Sequence, residues 1–70
     1  MSEKIRIYDL PSVQGQVHIH SDSSGTTFYG GNLYDYSRQE SRPINSYEAA
    51  MLDLAAKNLG ITPLIRDSSR

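Results

Sequence analysis

The chain has no cysteine and no tryptophan. The first absence excludes disulfides and thiolate-held metal sites, and it fits a reducing compartment. Charge of one sign is also missing: seven basic residues stand against eight acidic ones, for a net charge of −1. With no basic run to hold phosphates and no acidic block to imitate them, nucleic-acid binding through charge is disfavoured. No apolar stretch approaches the ~20 residues of a membrane-spanning helix. The start, Met1-Ser2-Glu3-Lys4, carries no apolar signal region. A cytoplasmic protein that makes no use of a membrane is expected.

What is there is one small domain, 1–70, with residues 66–70 expected to fray. A chain of this size buries only ~60% of the surface it exposes when unfolded. With disulfides excluded, self-association is one way to supplement so small a core.

The first half alternates with period two. Ile5 and Ile7 share one face and Arg6 and Tyr8 the other, which reads as a half-buried strand with the isoleucines inward. Pro11 interrupts it, because proline cannot donate to a ladder. A second strand, Gln16 to His20, puts Val17 and Ile19 inward and both histidines outward. Asp22-Ser23-Ser24-Gly25 supplies a turn, and Thr26 to Tyr29 resumes as a third strand. Gly30-Gly31 reads in two ways. As a two-residue hairpin loop, slightly preferred, it sets Phe28 across from Leu33. As a bulge, it bends one long strand that runs on to Tyr36. Ser37 to Pro43 is polar and reads as an exposed connection.

The helix signal is local and strong. Asn45 is placed to cap it and Glu48 to complete a capping box. From Ser46 to Leu59, Tyr47, Met51, Leu54, Ala55 and Leu59 gather on the side expected to pack against Ile5, Ile7, Val17 and Ile19. Asp53 and Lys57 mark the solvent side. Gly60 is placed to end the helix, Pro63 forbids a restart, and Ile61, Leu64 and Ile65 are expected to fold back on the sheet. The predicted class is α+β: a three- to four-stranded antiparallel meander followed by one C-terminal amphipathic helix on one sheet face (βββα or ββββα).

Three constellations bear on function. In a strand, His18 and His20 point the same way with Asp22 next along it, a candidate metal triad. The string His18-Ile19-His20-Ser21-Asp22 resembles the opening motif of polymerase-and-histidinol-phosphatase-type metallohydrolases. That resemblance implies a metal site, and the family's further histidine ligands have no counterpart here. Two solvent-facing histidines on a sheet explain the same residues, and Ser23 and Ser24 are explained by the turn. No catalytic residue and no cofactor are assigned.

The second constellation is aromatic. Tyr8, Tyr29, Tyr34 and Tyr36 concentrate in the sheet half, and Arg6 shares the face of Tyr8. Tyrosine and arginine are enriched at interaction hot spots, and tyrosine gives large contact area at low entropy cost. Cross-strand packing would use the same residues.

The third is the stretch Ser46 to Gly60, which with the strands before it is similar to the second half of a double-stranded-RNA-binding domain. That resemblance implies a sheet packed on an alanine-rich helix. The lysine cluster which that family carries at the helix start is replaced here by Asn45-Ser46-Tyr47-Glu48.

The leading expectation is therefore a non-enzymatic protein-interaction module whose Tyr-rich sheet face docks on a protein partner or a second copy of itself. Small cysteine-free domains of this kind occur among accessory regulators and inhibitors of phages and mobile elements, and that role is the expectation by association. The alternatives are nucleic-acid binding through tyrosine stacking and scattered arginines, and a metal site at His18, His20 and Asp22.

Overall fold

In the computed structural model, which describes residues 3–67, the alternation read in the first half becomes sheet. β1 (Glu3–Leu10), β2 (Gly15–Asp22), β3 (Phe28–Asp35) and β4 (Glu40–Pro43) run as a meander. The helix α1 (Ser46–Asn58) follows, and the chain returns as β5 (Leu64–Asp67). The strand order is β4-β3-β2-β1-β5, antiparallel throughout. The class is α+β, as expected, with five strands rather than three or four among the described residues. The helix is also not the last element.

α1 carries the chain from one edge strand to the other. Five strands span about 19 Å across the ladder, and the 13 residues of α1 are about 20 Å long. The helix is thus long enough to cross the sheet from edge to edge. It covers one face, and among the described residues nothing covers the other.

The covered face is the one expected on β2, where Val17 and Ile19 are buried, and the opposite of the one expected on β1. Arg6 lies opposite Ile19, Tyr8 opposite Val17 and Leu10 opposite Gly15, and directly opposed residues share a face. Leu10, 1% exposed, belongs to the same alternation as Arg6 and Tyr8. It anchors that side of β1 under the helix. Ile5 and Ile7, opposite His20 and His18, turn to the open face and are only half-buried.

The helix is rotated accordingly. Its buried residues are Ala49 and Ala56, with Leu52 partly buried beside them. Met51 (50% exposed), Leu54, Leu59 and Tyr47 (73%) face outward. Alanine at the contact lets the helix axis approach a sheet that already presents Leu10, Val17 and Ile19. The larger side chains would hold it off. Ile44, buried between β4 and α1, completes the core.

Gly30-Gly31 lies inside β3, so the hairpin reading is wrong and the bulge reading holds. His20 pairs with Gly30 and Ser21 with Phe28, which leaves Tyr29 as the extra residue. Gly30 has φ +153°, and a Cβ on Gly31 would sit 2.6 Å from the His18 carbonyl oxygen. Glycine at both positions is therefore a steric requirement.

Other local expectations divide. Asn45 does cap α1, its Oδ1 accepting from the Glu48 N–H at 2.8 Å. Glu48 does not close a capping box, because its carboxylate takes the Arg42 guanidinium at 3.0 and 2.6 Å and ties β4 to the helix start. Gly60, at φ +71°, ends the helix, with Gly60 N–H donating to Lys57 O and Ile61 N–H to Ala56 O. The polar stretch read as a connection contains β4. Arg66 and Asp67, expected to fray, belong to β5, and residues 68–70 lie outside the described residues.

Candidate functional site

Two groups of side chains come together, one on each face of the sheet. Beneath α1, Tyr8 donates its hydroxyl to Asp53 Oδ1, and Arg6 Nη1 donates to the same oxygen at 3.3 Å. Lys57 Nζ lies 3.9 Å from Asp53 Oδ2. Burial, reinforced by the Asp53 bond and charge, raises the Tyr8 hydroxyl from 10.0 to about 12. Arg6 and Tyr8 are therefore not on the open surface where the sequence reading put them. Tyr8 is 3% exposed and is core.

The open face holds the other sequence candidates. His18 and His20 project from β2 onto it, with Ile7 and Ile5 beside them on β1 and Asn32 on β3. Leu64, opposite Ile7, and Arg66, opposite Ile5, extend this face at the β5 edge. Tyr34, opposite Gln16, borders it on the other side and meets Tyr36 edge-on, with ring centroids 5.8 Å apart. Beside Tyr34 lies a depression of about 410 Å³ lined by Gln16, His18, Asn32, Tyr34 and Ser41. Tyr29, in the bulge, is also exposed. Ile5, Ile7 and Leu64 were missed as surface residues. The signal that could have placed Ile5 and Ile7 was Leu10, whose parity on β1 opposes theirs.

The polar groups of the open face are engaged with one another. His18 Nε2 meets Gln16 Oε1 at 2.8 Å, His20 Nδ1 pairs with Glu3, and Asp9 accepts from the Tyr36 hydroxyl. Asp22 serves the β2–β3 turn: its Oδ1 accepts from Ser24 Oγ and from the Thr26 N–H, each at 2.9 Å. Desolvation opposes its charge, but hydrogen bonds from Ser24, Thr27 and Thr26 outweigh it and hold the carboxyl at about 2. The candidate triad is not brought together: no group of three potential metal ligands forms among the described residues.

Among the described residues no helix is long and apolar enough to cross a membrane. No protein family, curated protein or solved structure matches the chain.

Proposed function

We propose that the protein is a non-enzymatic interaction module that docks on a protein partner, or on a second copy of itself, through the open face of its sheet. One observation carries the reading. The helix covers one face, and the face left open sets Ile5, Ile7 and Leu64 beside His18, His20, Tyr34 and Tyr36. Apolar and aromatic surface of that kind, rimmed by polar groups, is typical of docking sites. Tyr34 and Tyr36 hold each other in place, so little side-chain freedom is lost on contact.

The proposal keeps Tyr29, Tyr34 and Tyr36 from the sequence reading and replaces Arg6 and Tyr8 with Ile5, Ile7 and Leu64. A second apolar stripe, Tyr47, Met51, Leu54 and Leu59 on the outer side of α1, has one aromatic anchor among the described residues. A cytoplasmic setting is part of the proposal and rests on the absence of cysteine.

The test is sedimentation velocity over a range of concentrations, combined with pull-down, on the wild type and on Ile7→Asp with Leu64→Asp. Loss of self-association or of the captured partner in the double variant, with an unchanged far-UV spectrum, is expected. A monomer that captures nothing contradicts the proposal.

A further inference from the structure

We propose that two copies of the chain pair antiparallel along β5, edge to edge, and join their sheets into one. This goes beyond the docking proposal, which uses the open face of the sheet rather than its edge. The two share Leu64.

A sheet of order β4-β3-β2-β1-β5 has two edges, and they differ. An edge strand presents unpaired N–H and C=O groups, and charge or proline on the strand blunts it against pairing. β4 reads Glu40-Ser41-Arg42-Pro43, with charges of both signs, a proline and no large apolar residue. Its Arg42 is also held by Glu48 at the helix start. β5 reads Leu64-Ile65-Arg66-Asp67. Its two apolar residues lie on opposite faces of the sheet, Leu64 across from Ile7 and Ile65 across from Arg6. They are 57% and 49% exposed. A partner laid on one face would cover only one of them, whereas an added strand covers both and satisfies the backbone between them.

The sequence of β5 fits its own copy, which is why the occupant is a second copy. Directly opposed residues in a ladder share a face, so a symmetric antiparallel pair of β5 strands is centred on a residue. Centred on Arg66 or on Asp67, it opposes like charges. Centred on Leu64, it pairs no other residue of one β5 with a residue of the other. Centred on Ile65, it sets Ile65 against Ile65, and Leu64 against Arg66 of the second copy, with no like charges opposed. On the helix side the row Arg6-Ile65 then runs into its own mirror. On the open side the row Ile7-Leu64 runs into Arg66 and Ile5 of the second copy, and the apolar stem of the arginine lies along the leucine.

The test exploits the absence of cysteine. Residues directly opposed in an antiparallel pair have Cα atoms about 4.5–5.5 Å apart, within the span of a disulfide. Ile65→Cys should form a covalent dimer under mild oxidation at least tenfold faster than Ser41→Cys, exposed on the β4 edge. It should also outpace Arg66→Cys by at least tenfold, since that position faces residue 64 of the second copy and not itself. Sedimentation velocity up to millimolar concentration supplies the second reading. The wild type is expected to dimerise as concentration rises. Ile65→Lys should stay monomeric with an unchanged far-UV spectrum, and Ile7→Asp, on the open face, should dimerise as the wild type does. Equal crosslinking at the three positions, a monomeric wild type or a dimer of Ile65→Lys overturns the proposal. A dimer lost in Ile7→Asp but kept in Ile65→Lys overturns the edge pairing and leaves the docking proposal standing.

Discussion

Asp53 accepts from both Tyr8 and Arg6 under the helix, so removing its carboxylate strands two donors at once. An unsatisfied buried group costs about 1–3 kcal/mol, and Asp53→Ala should lower stability by that order in a urea melt. Met51→Ala, at a half-exposed position, should stay within about 0.5 kcal/mol of wild type. Residue type alone suggests the reverse, a charged residue outside and a methionine inside. Only the partners across the sheet decide otherwise. Tyr8 adds a pH test. Its hydroxyl is raised from 10.0 to about 12 in the fold, so the folded state holds a proton that the unfolded chain loses first. The stability this represents is complete below pH 10 and is lost as pH rises from about 10 to 12. Chemical melts across that range should show a decline that Tyr8→Phe reduces. An equal decline in the variant would show that Tyr8 is not its source.

At the scale of elements, the helix carries two apolar stripes on opposite sides, and the smaller residues are the ones buried. Ala56 is fully buried against the sheet, and Ala56→Leu should destabilise by about 1–3 kcal/mol through overpacking. Leu54→Ala, on the outer stripe, should be nearly neutral in the same melts. A reversal of that order would mean that the helix is rotated. The start and end of α1 were legible in the sequence because Asn45 and Gly60 act locally, each bonding within a few residues. Which stripe faces inward was not, since large side chains alone pointed to Met51 and Leu54. β4 was illegible for a related reason, and β5 was legible only as Leu64 and Ile65 returning to the sheet, not as a strand. Each is four residues long and exposed, and each exists because an edge of the sheet is there to pair with it. The two glycines in β3 left the hairpin and the bulge both open. The bulge won because Gly31 must pass within contact of the His18 carbonyl.

Among the described residues, the molecule is a sheet packed on one side and open on the other. Its core is small, with Tyr8, Leu10, Val17, Ile19, Ile44, Ala49 and Ala56 buried among the described residues, so covering the open face would add to a modest total. The tyrosine-rich surface was legible in outline, since Tyr29, Tyr34 and Tyr36 are exposed. Its apolar centre was not, because Ile5 and Ile7 look like core until the parity of Leu10 is followed. The claim that the open face is the one that docks is tested most directly by site-specific photocrosslinking. Benzoylphenylalanine replaces Ile7, Tyr34 or, on the outer helix stripe, Met51, and the protein is irradiated in the cells that make it. Crosslinks from positions 7 and 34, to one partner or to a second copy, with none from position 51, are the expected result. Crosslinks from position 51 alone, or from none of the three, would contradict it.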